Sequence, residues 1–215
     1  MNDISSSCDS IAQPEVPAAT TNSVVTPCAD SPDTNGAVSL PHDLPVFLVG
    51  MMGAGKTTIG RGLARVLGRQ FIDLDHELEA RCGVRIPTIF EIEGEEGFRK
   101  RESMVLDECT RQRGIVLATG GGAVMAADNR QALSQRGIVI YLRASVDELY
   151  RRTARDRNRP LLATADPRGT LATLLERRDP LYREIADLVV DTGSIPVPAL
   201  VRSLLPKLQS FEKNS

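Results

Sequence analysis

Several classes of protein are excluded by what this sequence does not contain. No apolar run approaches the length of a membrane span. Its four cysteines, Cys8, Cys28, Cys82 and Cys109, are widely scattered. They show neither metal-ligand spacing nor a disulfide framework, which agrees with a reducing cytoplasm. Tryptophan is absent and aromatics are sparse, in a composition otherwise ordinary for a soluble globular protein. Residues 1–43 hold six acidic side chains and no Lys or Arg, with no hydrophobic periodicity. A secretory signal would need a basic start and an apolar core, and a transit peptide would be rich in Arg and poor in acid. Neither description fits, so a disordered, dispensable extension, or a start codon placed too far upstream, is expected. The remaining chain carries 26 basic against 22 acidic residues, a net of +4. That excess suits an anionic ligand and is too small to argue for nucleic acid. A length of 215 residues suits one domain with a tail.

What is present is organised around Gly50-Met51-Met52-Gly53-Ala54-Gly55-Lys56-Thr57. Gly, four residues, Gly-Lys-Thr is the phosphate-binding loop of ATP- and GTP-handling proteins. The apolar run Val46–Val49 before it reads as a buried parallel strand. After it, Ile59, Leu63, Val66 and Leu67 fall at helical spacing. Glycines here let backbone N–H groups converge on a phosphate chain at the positive end of a helix. Lys56 would reach the β- and γ-phosphates, and the Thr57 hydroxyl would bind Mg²⁺.

The rest alternates strands and helices. Strands are expected at 71–75, 114–119, 138–142 and 188–190, and helices at 76–82, 95–112, 128–135, from Ser145 to about Arg152, 170–178, and from Pro196 onward. Ser145-Val146-Asp147-Glu148 has the capping-box pattern. Apolar strands alternating with helices imply a parallel sheet covered on both faces. Ligands then sit at the carboxyl ends of the strands.

Asp73 and Asp75 stand at one such end. They point the same way if the strand continues and diverge if a helix begins at Asp75. One would serve the Mg²⁺ shell and one the substrate, or both would merely cap the next helix. Gly120-Gly121-Gly122 ends another strand and implies close approach by a ligand, or a sharp bend. Five arginines lie between Arg151 and Arg159. As a bare run they are a solvated face or an RNA patch. Arg159-Pro160 at the start of a loop also suits a lid that closes over the γ-phosphate and excludes water. Arg99 and Arg178, each alone, read as surface arginines.

Six ordered motifs carry a more specific resemblance: Gly50 to Thr57, Asp73-Leu74-Asp75, Gly97 to Glu102, Gly120-Gly121-Gly122, Arg159-Pro160-Leu161-Leu162 and Arg178-Asp179-Pro180-Leu181-Tyr182. Over about Pro45 to Leu208 the chain resembles the shikimate kinases, small P-loop kinases related in fold to the nucleoside monophosphate kinases. The resemblance implies an α/β fold with a five-stranded parallel sheet of order 2-3-1-4-5. It implies a kinase domain over 44–210 with a substrate-binding segment near 75–103, a lid near 153–167 and a short tail at 211–215. The implied reaction is ATP plus shikimate giving shikimate 3-phosphate and ADP, toward chorismate and the aromatic amino acids, in a cytoplasmic enzyme expected to be a monomer. Asp75 would then hold shikimate hydroxyls, Arg99 and Arg178 its carboxylate, and the Gly121 backbone would contact it. Gly53, Ala54, Gly55, Lys56, Thr57 and Thr58 would bind the phosphates together with Arg159. Asp73 would reach Mg²⁺ through water, and Arg152 would stack on adenine. Relatives often place a polar or basic side chain after the position of Thr192, where this chain has Gly193, Ser194 and Ile195.

A gluconokinase-like kinase is the nearest alternative, and the Gly-Phe-Arg and Gly-Gly-Gly pair counts against it. A nucleotide-sensing module or an RNA-associated ATPase would need no paired acids, glycine triplet and scattered arginines together.

Overall fold

A computed structural model describes residue 40 and residues 43–154, 164–193 and 195–211, all within the compact unit Thr34–Ser215. Residues 1–39 and 41–42 of the expected extension, Arg159 and most of the expected lid, Ser194, and 212–215 of the expected tail lie outside the described residues. Leu40 and Phe211 both pack against the core, so it gathers side chains from just beyond each expected edge of the domain.

Five strands, β1 (Val46–Val49), β2 (Gln70–Asp73), β3 (Ile115–Ala118), β4 (Ile138–Arg143) and β5 (Leu188–Asp191), form one sheet of order β2-β3-β1-β4-β5. Every pairing is parallel; Val46 pairs with Val116 on one side and Ile138 on the other. β1 and β3 are buried along their whole length and β4 along all but its last residue, whereas the edge strands β2 and β5 are partly exposed. That is why the central strands read as unbroken apolar runs and the edge strands do not.

Among the described residues seven α-helices accompany the sheet: α1 (Lys56–Leu67), α2 (Leu74–Cys82), α3 (Ile86–Thr110), α4 (Ala127–Arg136), α5 (Val146–Thr153), α6 (Pro167–Ile185) and α7 (Val197–Gln209). α1 packs on β2 and β3 and carries α7; α4 and α6 pack on β4, with α3 against α4 and α5 against α6. Two stacked tyrosines, Tyr141 of β4 and Tyr182 of α6, with ring centroids 4.9 Å apart, seat α6 on the sheet. The Tyr141 hydroxyl donates to Asp179 Oδ1 at 2.8 Å, fixing the same helical turn.

Three elements differ from their expected bounds. β2 stops at Asp73 because α2 begins at Leu74, so Asp73 ends the strand and caps the helix while Asp75 stands in its first turn. α3 starts at Ile86, well before Glu95, and breaks at Gly94 (φ 68°, ψ −173°). The break resets the helical phase, so its two halves present no single apolar stripe. α6 runs on to Ile185 with Pro180 inside it. Among the described residues no helix is long and apolar enough to cross a membrane.

Candidate active site

The phosphate loop joins β1 to α1, and its side chains are already engaged. The Lys56 ammonium, buried, donates to the carbonyls of Gly50 at 2.8 Å and Met51 at 2.9 Å. Ala54 N–H closes a turn on the Met51 carbonyl at 3.1 Å, with the Ala54 methyl fully buried beneath. Gly53, at φ 81°, has Thr153 Cγ2 only 2.8 Å from where a Cβ would stand. Both the positive φ and the neighbour require glycine there.

Asp73 works at both of its oxygens. Oδ1 accepts the Asp75 N–H at 3.2 Å as the N-cap of α2, and Oδ2 accepts the Thr57 hydroxyl at 2.8 Å. The capping reading and the metal-shell reading of this residue are therefore compatible. Gly53, Gly55, Lys56, Thr57, Thr58, Asp73, Asp75 and Gly121 line one cavity of about 230 Å³, at the carboxyl ends of β1, β2 and β3. A larger cleft of about 820 Å³ lies between α5, α6 and the ends of β4 and β5. Glu148, Glu176, Asp179 and Asp191 line it, with Arg143 already paired to Asp191, so its lining is rich in carboxylates and offers phosphate no unengaged guanidinium of its own. Volume does not pick out the site; chemistry does.

The glycine triplet ends β3, and none of the three adopts the left-handed φ that favours glycine. Their lack of a side chain serves close approach instead. A Cβ on Gly120 would lie 2.1 Å from Glu102 Oε1 and 3.1 Å from Asp75 Oδ1. On Gly122 it would lie 2.4 Å from the Arg99 guanidinium, and on Gly121 it would lie 3.3 Å from Met52 N and 3.7 Å from Arg178 Nη1. The triplet is the surface on which two distant arginines and two acids converge beside the phosphate loop.

Neither arginine is a surface residue of the ordinary kind. Arg178 is buried and its Nη1 finds no partner among the described residues. Arg99 is held by Glu102 Oε2 at 2.6 Å and by Glu95 Oε1 at 3.0 Å. Glu102 is 1% exposed and its Oε1 also lacks a hydrogen bond. Burial pushes the Glu102 carboxyl above its usual range and Asp75 adds to this, against the pull of Arg99 and Arg178. Unmet donor and acceptor capacity in a buried cluster marks a site built to receive a polar group.

Arg152 straps three segments together. It donates to Gly53 O at 3.3 Å, Thr192 O at 2.6 Å and Gly193 O at 2.9 Å. Gly193 is small for a reason, since a Cβ there would lie 2.8 Å from Glu148 Oε1. That carboxylate belongs to the capping box expected at Ser145, which is present.

A family model described as shikimate kinase matches residues 52–209. The chain belongs to the shikimate kinase family. A shikimate kinase of Bordetella pertussis is 76% identical over 177 residues, covering 82% of this chain and 84% of its own length. One from Bordetella avium is 75% identical over 174 residues, covering 81% and 83%. Among solved structures, the shikimate kinase from Acinetobacter baumannii in complex with shikimate is 51% identical with a TM-score of 0.76, covering 78% of this chain and 93% of its own. As a shikimate kinase the chain is an ATP-using phosphotransferase, and the gluconokinase-like alternative falls away.

Two residues given no role from the sequence stand out in this shikimate kinase site. Glu102 lies three residues after Arg99 on α3, and Tyr182 four after Arg178 on α6. Both spacings put the partner on the arginine's own helix face, the one signal by which sequence could have found them.

Proposed function

We propose that this protein transfers the γ-phosphoryl group of ATP to the 3-hydroxyl of shikimate, giving shikimate 3-phosphate and ADP on the way to chorismate. The observation that carries the reading is the convergence of Arg99 and Arg178 on the glycine triplet, beside the phosphate loop. Two guanidinium groups from different helices match a rigid carboxylate and fix its orientation. Arg178 contributes an unpaired buried N–H, and Arg99 contributes a charge already balanced by Glu102 and Glu95.

Asp75, which lines the cavity of the phosphate loop, would orient the shikimate hydroxyls and take up the proton of the attacking one. Lys56 and the loop from Gly53 to Thr58 would hold the phosphates, with Arg159 joining them. Arg152, held by the carbonyls of Thr192 and Gly193, would stack its flat guanidinium on adenine. Catalysis in this arrangement is mainly positioning and charge neutralisation.

Mg²⁺ fits the residues present. The described residues offer no cluster of three or more His, Cys, Asp or Glu able to cage a metal. Mg²⁺ does not need one, because it keeps waters and substrate phosphates around one or two protein oxygens. The Thr57 hydroxyl and Asp73 Oδ2, facing each other at 2.8 Å, would be those oxygens, Asp73 acting through water. When bound, the ion supplies positive charge to the phosphates. A cytoplasmic, monomeric enzyme completes the proposal.

ADP release measured with shikimate, gluconate, nucleoside monophosphates and no acceptor tests the reading. Release with shikimate alone, abolished by EDTA and restored by Mg²⁺, is expected. Equal release without an acceptor would overturn it.

A further inference from the structure

We propose that Tyr182 is a positioning residue for the acceptor substrate: its hydroxyl locks the Gly121–Gly122 peptide and so sets where the glycine turn aims its N–H groups. The inference rests on the functional reading above.

Three glycines in a row have no side chains to hold their peptide planes, and each rotates more freely than any other residue. The turn therefore needs anchors from elsewhere. Gly120 O accepts from Ala123 N at 3.2 Å and Gly122 O from Met125 N at 3.0 Å. These are local backbone bonds. The middle carbonyl, Gly121 O, is instead served by Tyr182 Oη at 2.5 Å, across sixty-one positions of sequence. A peptide unit is planar and trans, so fixing the Gly121 C=O also fixes the Gly122 N–H on its opposite side.

The phenol is suited to this task. Tyr182 is fully buried, and its ring is clamped by the stack on Tyr141. Burial pushes its ionisation well above the ordinary range, so the hydroxyl keeps its proton and remains a donor. Arg178 stands one turn earlier on the same face of α6. That single face thus supplies both a guanidinium for the substrate and the tether for the glycine peptide opposite. The peptide also lies against the phosphate loop, with Gly50 O 3.5 Å and Met52 N 3.3 Å from the Gly121 Cβ position.

Tyr182→Phe removes the tether and keeps the ring stack. With the Gly121 carbonyl unanchored in a half-buried turn, KM and Kd for shikimate should rise about tenfold. The KM for ATP should stay within about twofold of the parent, since uniform loss of structure would move both. Val201→Ala, a buried position of α7 that is not among the neighbours of the triplet, is the stability control and should leave both KM values alone. Unchanged shikimate affinity in Tyr182→Phe, or equal rises in both KM values, overturns the proposal. Should the Phe variant fail to fold, the parent labelled with 3-fluorotyrosine gives a second reading. The Tyr182 fluorine resonance must then move on adding shikimate alone, and a resonance that stays put overturns the proposal equally. A parent that phosphorylates no shikimate sinks the functional reading itself; an active parent with an indifferent variant sinks only the role of Tyr182.

Discussion

Gly120→Ala is the smallest change that tests how the glycine triplet works. The added methyl would stand 2.1 Å from Glu102 Oε1 and 3.3 Å from its Cδ. Ordinary C···O contacts need about 3.3 Å or more, so the carboxylate must retreat by about 1 Å. It has little room, being 1% exposed with its other oxygen bound to Arg99 at 2.6 Å. Overpacking of this kind costs about 1–3 kcal/mol. Since Gly120 is not at a positive φ, no backbone strain adds to that figure. For a domain of this size the loss lowers Tm by about 2–4 °C per kcal/mol. If Arg99, drawn along with Glu102, holds the shikimate carboxylate as proposed, KM for shikimate should rise about tenfold, near 1.4 kcal/mol. KM for ATP should hold. Thermal melts and coupled ADP-release kinetics, with each substrate varied in turn, measure both effects. Shortening the obstructing side chain in Gly120→Ala/Glu102→Asp should restore part of the stability, a non-additivity expected only of neighbours in contact. A single variant that melts and binds shikimate like the parent would refute the account.

Lys56→Met should cut turnover at least about a hundredfold while circular dichroism retains the parent's helix content; near-normal turnover would remove Lys56 from the phosphates. Arg178→Ala should lower kcat/KM for shikimate about thirtyfold or more with ATP affinity close to normal, and Arg178→Lys should recover only part. Shikimate esterified at its carboxylate should be a poor substrate for the parent yet lose little further in Arg178→Ala; a variant that still discriminates acid from ester as the parent does excludes Arg178 as the carboxylate partner. Asp179 concerns stability and pH. Burial resists its ionisation, but hydrogen bonds from Arg183 and Tyr141 outweigh this and hold its carboxyl below the usual value. Its stabilisation is therefore complete above the ordinary carboxyl range and is lost as pH falls through the depressed one. Asp179→Asn should cost about 1 kcal/mol at pH 7, and its melting temperature should converge on the parent's in acid; a gap constant with pH would show that charge is not involved.

The order of elements and the phosphate loop were legible because they rest on local signals: apolar runs for the central strands, a glycine pattern for the loop, a capping box for α5. The first half of α3 was not, because Gly94 breaks the periodicity and Glu91, Glu93, Glu95 and Glu96 dilute it. Arg99 and Arg178 read singly as surface residues; only the fold, or resemblance to a family, places them on one glycine turn. Glu102 and Tyr182 went unassigned for the same reason. Their importance lies in what Gly120 and Gly121 leave open on a different element, and no local pattern records that. Asp73 was legible by halves: capping of the next helix could be read from its place at a strand end, whereas the hydrogen bond that its second oxygen accepts from Thr57 could not.

The strand order has a consequence for how the chain is made. β1 and β2 leave the ribosome in succession, yet they are not neighbours, and β3 must be inserted between them. No hairpin can form early, because β1 waits for Ile115–Ala118 on one edge and Ile138–Arg143 on the other. The phosphate loop waits longer still, since the strap from Arg152 to Gly53 also runs to Thr192 and Gly193. Non-local pairing of this kind is slow and leaves apolar strands uncovered in the meantime. A nascent chain stopped short of Ile138 therefore exposes Val46–Val49 along one whole edge, and the first strand to be synthesised gains its second neighbour only when the fourth emerges.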